Sequence, residues 1–210
     1  MSHMDTAFTG KTAGIILAAG TGSRMGTVKQ LLPFRNTTIL GAVVQAALDA
    51  DLDPLILVLG HEADKIEAAL SRQIIPTKIQ VVYNPDYAMG QSSSLIAGIK
   101  RLPAHTGGAM FLLGDQPLIS ALTLNRLVSA YQGSDAGIII PFYNGRRGNP
   151  VIIGKKHFHL LKTLTADTGA RVLFNQYPED TLKVNVDDPG ILTDIDTPDD
   201  YSAMIKSGSS

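Results

Sequence analysis

Short apolar runs alternate along this chain with stretches in which apolar residues recur every three or four positions. The runs at 13–19, 54–59, 78–83, 109–113, 137–141, 150–153 and 182–186 have strand length and composition. Most are apolar at consecutive positions, as expected of strands buried on both faces of a sheet. Between them, helical periodicity marks 39–50, 62–70, 92–101, 122–131, 168–176 and 197–205. In the first of these, Leu40, Val43, Val44, Ala47 and Leu48 share one face. Strands alternating with helices predict an α/β protein, a single three-layer α/β/α domain of Rossmann-like build around a mostly parallel sheet. No Pro/Ser-rich linker and no internal repeat divides it. Ligands of such sheets sit beyond the carboxyl ends of the strands, which directs attention to 20–29, 60–61, 84–94 and 114–117.

The length of 210 residues fits one domain, placed at 11–206. Residues 1–10 are set apart as a terminus that opens with an expression scar, Met1-Ser2-His3-Met4, and 207–210 as a flexible polar tail. A hydrophobic fraction of 44% with 18% charged residues excludes global disorder. The 18 Lys and Arg residues are balanced by 19 Asp and Glu, which argues against a nucleic-acid binder while leaving room for a small phosphorylated ligand. The absence of cysteine removes disulfides, thiolate metal sites and thiol catalysis. The apolar runs at 14–19 and 55–59 fall far short of the roughly 20 residues that span a bilayer. A cytoplasmic protein with no membrane or nucleic-acid partner is the expectation.

The strongest chemical signal follows the first strand: Leu17, Ala18, Ala19, Gly20, Thr21, Gly22, Ser23, Arg24, Met25, Gly26, Thr27, Val28, Lys29. Glycines let backbone N–H groups approach phosphate oxygens. Arg24 can grip phosphate through two nitrogens, and Lys29 adds a point charge further along. A P-loop would need lysine after Gly26, where Thr27 stands, and a dinucleotide fingerprint would need glycine in place of Met25. The competing reading is a plain solvated turn; glycine, arginine and lysine together favour phosphate binding. The loop resembles the signature of nucleotidyltransferases that share the nucleotide-diphospho-sugar transferase fold.

Carboxylates supply the second signal. Asp115 stands in the Gly114-Asp115-Gln116-Pro117 turn after the fourth strand. Asp194 and Asp196 flank Ile195, so an extended chain would put both on one side. Carboxylates from distant segments suit Mg²⁺, with Mn²⁺ as the alternative. Taken alone, Asp115 is equally a turn residue, and 196–200 equally a helix start in which Asp199 and Asp200 complement the dipole. The superfamily resemblance implies a metal held by Asp115 and Asp196, with Asp194 beside them.

Further segments narrow the resemblance. Gly90-Gln91-Ser92-Ser93-Ser94-Leu95, Gly114-Asp115-Gln116-Pro117, Arg147-Gly148-Asn149-Pro150, Asp167-Thr168-Gly169-Ala170-Arg171 and Asp194-Ile195-Asp196-Thr197-Pro198 occur in that order. Together they resemble the molybdenum cofactor cytidylyltransferase family over about residues 13–202. The resemblance implies transfer of a cytidylyl group from CTP to the terminal phosphate of molybdopterin, with release of pyrophosphate and delivery of the product to a recipient molybdoenzyme. It assigns catalysis to Arg24, Lys29, Asp115 and Asp196. Leu17, Ala18, Ala19, Gly20, Gly22, Ser92 and Ser94 join Arg24, Lys29 and Asp115 in nucleotide binding, although the serines read equally as a helix cap. Arg147, Asn149, Asp167 and Arg171 are the acceptor side.

Related guanylyltransferases usually carry Gly where Ala19 stands, and the added methyl suits a pyrimidine. Gly22 stands where many cytidylyltransferases carry Ser, a feature shared with sugar nucleotidyltransferases. The alternatives are therefore guanylyl transfer, a sugar- or alditol-phosphate nucleotidyltransferase, and a non-catalytic pterin carrier. His61 follows the second strand at the ligand edge and is a candidate nucleotide contact. His157 and His159 read as surface or interface histidines, and Arg146, Lys155 and Lys156 as solvated surface.

Overall fold

The computed structural model describes residues 10–22, 25–71, 78–164 and 169–207. Its main sheet runs β10 (Thr181–Asn185), β7 (Ile138–Tyr143), β9 (Val151–Gly154), β6 (Gly108–Leu113), β1 (Thr12–Ala18), β4 (Leu55–Leu59), β5 (Ile79–Tyr83). A short β8 (Arg146–Arg147) pairs with β7, and β2 (Pro33–Phe34) with β3 (Thr37–Thr38) makes a separate hairpin. The pairs β1–β4, β1–β6, β4–β5 and β7–β10 are parallel. β9 runs antiparallel to both β6 and β7, so the sheet is mixed though mostly parallel.

Alternation along the strands divides the interior into two layers. Ile16, Leu55, Leu57, Leu59, Met110 and Leu112 face one side, where α1 (Ile39–Leu48), α2 (Ala63–Leu70) and α4 (Ala121–Gln132) cover them. Ile15, Ile56, Val58, Ala109 and Phe111 face the other, beneath α3 (Gln91–Ile99), α5 (Phe158–Leu161) and α6 (Arg171–Gln176). This is the expected three-layer α/β/α arrangement. The face predicted for the first helix is buried at Leu40, Val43, Val44 and Ala47, and Thr38 caps that helix by accepting a bond from the Gly41 amide.

The last helix, α7 (Pro198–Ser207), starts with a reciprocal cap. Thr197 Oγ1 accepts from the Asp200 amide at 3.2 Å, while the Asp200 carboxylate accepts from the Thr197 amide at 2.8 Å. The Thr197 hydroxyl, which donates to the same carboxylate at 2.7 Å, together with the Thr197 and Asp196 amides holds the Asp200 carboxyl below its ordinary value. Asp200 is thus a capping residue, and the cap fixes where the preceding segment, with Asp196, must run. Among the described residues, no helix is long and apolar enough to cross a membrane.

Candidate active site

The parallel strands β1 and β6 end side by side, and the chain beyond them forms the floor of a cleft of about 390 Å³. Leu17, Ala18, Ala19, Gly20, Gly22, Lys29, Ser94, Asp115 and Asp196 all line it, together with Gln30, Tyr87 and Gln91. Gly114 extends the pairing one step past β6, its amide donating to the Leu17 carbonyl at 3.0 Å, which brings Asp115 to the sheet edge. The Ile195 amide donates to the Asp115 carbonyl at 3.1 Å and docks the C-terminal segment beside it. Ile195 is fully buried, which turns its neighbour Asp196 toward the cleft.

Lys29 joins these pieces. Its side chain is buried, and its ammonium donates to Asp115 Oδ2 at 2.6 Å, Asp196 Oδ1 at 2.8 Å and the Ile195 carbonyl at 2.9 Å. Burial alone would lower the lysine pKa; the charges and hydrogen bonds of Asp115 and Asp196 outweigh it, and the net shift is upward. The ammonium therefore stays charged at neutral pH. Asp115 Oδ1 is buried and has no hydrogen-bond partner. An unsatisfied carboxylate oxygen beside a second carboxylate is a hard-oxygen donor set, which fits Mg²⁺ or Mn²⁺. Asp194 accepts a bond from the Gln116 amide. Although it retains solvent contact, loss of hydration around its carboxyl and the charge of Asp115 push its pKa upward.

One residue that carried no sequence signal braces the loop. Gln30 is buried, and its amide donates to the Gly20 carbonyl at 3.2 Å, holding the glycine-rich segment over the cleft. Gly60 lies so close to the cleft wall that an added Cβ would meet Tyr87 Cβ at 2.6 Å and Ala19 Cβ at 2.9 Å. Gly22 has φ +57°, a conformation that glycine adopts without strain and serine does not. That backbone requirement accounts for glycine at this position. Arg24 and Asp167 lie outside the described residues.

The two serines separate. Ser94 lines the cleft and accepts a bond from Asn84 at 3.0 Å, whereas Ser92 lines a different hollow beside Asn84 and Met89. Positions two apart on a helix point in widely different directions, so their spacing already carried this distinction. Neither caps α3, whose N-cap is Gly90. His61 is not among the residues that line the cleft, though its ring lies 5.9 Å from that of Tyr87, which does line it. His157 is buried, not superficial: its Nε2 bonds Asp180 at 2.6 Å and its ring packs on Tyr177 at 4.8 Å. His159 is exposed, as are Arg146, Lys155 and Lys156.

Arg147, Asn149 and Arg171 line a second hollow of about 200 Å³. It adjoins the cleft, with Leu17, Gln91 and Leu113 common to both. Arg147 lies over the Phe174 ring at 5.2 Å. Partial loss of hydration and the like charge of Arg171 lower the Arg147 pKa, although the residue is exposed. Among the described residues no carboxylate pairs with either guanidinium.

Comparison with known proteins fits this geometry. The profile of the MobA-like NTP transferase domain matches residues 14–181. The chain belongs to the MobA-like NTP transferase family. It is 31% identical over 188 residues to the molybdenum cofactor cytidylyltransferase of Escherichia coli K12, covering 89% of this chain and 92% of that one. It is 30% identical to the nicotine blue oxidoreductase of Paenarthrobacter nicotinovorans, covering 88% and 91%. The Rv0371C structure of Mycobacterium tuberculosis H37Rv in complex with manganese superposes with a TM-score of 0.73 at 29% identity, covering 94% of this chain and 98% of that one. As a MobA-like NTP transferase the protein is a nucleotidyltransferase, which sets aside the carrier reading. Two relatives at nearly equal identity bear different activities in their names, so the choice of substrate rests on the site.

Proposed function

We propose that this MobA-like protein transfers the cytidylyl group of CTP to the terminal phosphate of a molybdopterin acceptor, releasing pyrophosphate. The observation that carries the reading is the Lys29 ammonium held between Asp115 and Asp196 in a cleft that Gly20, Thr21 and Gly22 of the glycine-rich loop also line. The full-length likeness to a molybdenum cofactor cytidylyltransferase supports the choice of acceptor. Ala19 supports the choice of base: it lines the cleft and carries a methyl where related guanylyltransferases usually have glycine.

In this reading an oxygen of the acceptor phosphate attacks the α-phosphorus of CTP, and the bond to the pyrophosphate oxygen breaks. The attacking phosphate is already ionised at neutral pH, so alignment and charge neutralisation carry the catalysis. Asp115 and Asp196 would hold Mg²⁺ or Mn²⁺, which would supply neutralisation of phosphate charge. The Gly20–Gly22 backbone and Arg24 take the leaving pyrophosphate, and the Lys29 ammonium neutralises charge around the reacting phosphates. Ser94 and Gln91 offer polar contacts to the nucleoside end of the cleft. Arg147 and Arg171 receive the acceptor phosphate.

Guanylyl transfer and transfer to a sugar or alditol phosphate are the competing outcomes. The test is pyrophosphate release with Mg²⁺, CTP or GTP, and molybdopterin or erythritol phosphate as acceptor. Release with CTP and molybdopterin is expected; release that prefers GTP, or the polyol acceptor, overturns the assignment.

A further inference from the structure

Between Asp188 and Asp196 the chain runs along the turn that carries Asp115, in the opposite direction, and the contacts follow in order. Asp188 meets Ser120 and Thr123, and a Cβ on Gly190 would meet the Leu118 carbonyl oxygen at 2.6 Å. The Ile191 carbonyl accepts from the Gln116 side chain at 3.4 Å, and the Ile195 amide donates to the Asp115 carbonyl at 3.1 Å. Ile191 and Ile195 are fully buried, and the Ile191 carbonyl also accepts from the Asn149 amide at 2.9 Å. The segment is a strap laid along residues 115–123, with Asp196 just past one end and Asp188 at the other.

A single carboxylate fixes the far end. Asp188 Oδ1 accepts from the Gly190 amide at 2.8 Å and so caps the 3₁₀ turn Pro189–Leu192. Its Oδ2 accepts from Thr123 Oγ1 at 2.6 Å, Ser120 Oγ at 2.9 Å and the Ser120 amide at 3.3 Å. Those donors stand at the start of α4, where Ser120 is itself the N-cap, so one side chain joins two helix starts. Hydrogen bonds to an ionised carboxylate are roughly twice as strong as neutral ones. Both oxygens are engaged within the fold, and Asp188 is not among the residues that line the cleft. Its effect therefore falls on the chain that it holds. With that anchor gone, the strap would keep its attachment at Ile195 but lose the one that sets its register along the turn.

We propose that Asp188 is a positioning residue for the candidate metal pair: by pinning the far end of the strap to α4, it sets the separation of the Asp115 and Asp196 carboxylates. This rests on the reading of that pair as a metal site and adds to it a residue outside the cleft. Affinity for a small hard cation depends on carboxylates held at a fixed spacing. Groups that touch and orient a metal ligand commonly carry roughly 10- to 100-fold in affinity. Asp188 touches neither carboxylate and acts through the strap, so its effect is smaller than that.

The experiment titrates the full chain with Mn²⁺ alone, followed by the electron paramagnetic resonance signal of the free ion, so that neither nucleotide nor acceptor enters. Asp188→Ala should weaken Mn²⁺ binding roughly fivefold. Thr123→Val, which removes the shortest bond to Asp188, should weaken it roughly twofold. The double variant should lose no more than Asp188→Ala alone, because both substitutions release the same anchor. Asp180→Asn breaks a hydrogen-bonded carboxylate elsewhere in the fold and should keep wild-type affinity, which separates positioning from general loosening. Circular dichroism verifies the fold of each variant, and Asp188→Asn replaces Asp188→Ala if the latter does not fold. Wild-type affinity in the Asp188 variant, losses that add in the double variant, or an equal loss in Asp180→Asn overturns the inference. A wild-type chain that binds no Mn²⁺, or an Asp115→Asn variant that binds it as tightly as the wild type, defeats the metal reading itself and this inference with it.

Discussion

The proposed nucleotide side and the proposed acceptor side of the sheet handle their charged groups in opposite ways. Around the cleft, Lys29 has three partners within hydrogen-bond distance, Gln30 ties down the loop, and Asn84 holds Ser94. On the other side, Arg147, Arg171 and Lys183 are exposed and meet aromatic rings or each other, with no carboxylate among the described residues paired to them. One side is assembled before any ligand arrives; the other presents charge that an anion completes. The difference teaches where each kind of specificity resides. On the proposed reading, phosphate chemistry depends on geometry that the fold locks, whereas the acceptor is chosen by complementarity at an open surface.

The comparison breaks most severely at Asp115. Asp115→Asn removes a carboxylate from the metal set and one partner of Lys29, and kcat/KM for nucleotidyl transfer should fall roughly 10³-fold. Steady-state pyrophosphate release checks it. Next in size is Lys29→Met, which keeps the buried stem and removes the charge. A loss of roughly 10²-fold in kcat is expected, with a lower unfolding midpoint because two carboxylates and a carbonyl lose their shared donor.

Much of this was legible in the sequence, and the exceptions have physical causes. Continuous apolar runs marked the sheet because buried strands need them. The run at 151–154 gave no hint of direction, since Val151, Ile152 and Ile153 are equally apolar whichever way the strand runs. Glycine, arginine and lysine marked the loop; Gln30 left no mark, because a polar residue beside Lys29 reads as surface until the fold closes over it. His157 was misread for the same reason. Its partner Asp180 lies 23 residues away and Tyr177 covers its ring, neither of which periodicity reveals. Asp115 and Asp196 were legible as a pair, but a lysine seated directly between them was not.

Smaller perturbations sharpen the contrast on the acceptor side. Arg147→Gln or Arg171→Gln should raise KM for the acceptor roughly tenfold and leave CTP affinity unchanged, because each removes one cation from an anion site outside the cleft. Separate titrations of the two substrates distinguish this from a loss of fold.

The mildest case is Asp180→Asn, at the foot of β10. The Asp180 carboxylate accepts from Lys156 at 2.7 Å, the Gly137 amide at 2.9 Å and His157 at 2.6 Å. Burial would raise its pKa, but these bonds outweigh it and the net shift is downward from 3.8. A lowered carboxyl pKa contributes stability that is present above the ordinary value and lost as pH falls through the folded one. Asp180→Asn should therefore cost about 1 kcal/mol at pH 7, with the gap to wild type narrowing below pH 3.8. Thermal unfolding across that range checks it, and nucleotide binding should not move.

The central claim is that the nucleotide side stands assembled without the acceptor. Calorimetric titration of CTP with Mg²⁺, in the absence of any acceptor, tests it on the wild type, on the double variant Arg147→Gln/Arg171→Gln, and on Asp115→Asn. The account predicts equal CTP affinity in the first two, weaker GTP binding, and a large loss with Asp115→Asn. CTP binding that requires the acceptor, or that falls in the double arginine variant as far as in Asp115→Asn, would contradict it.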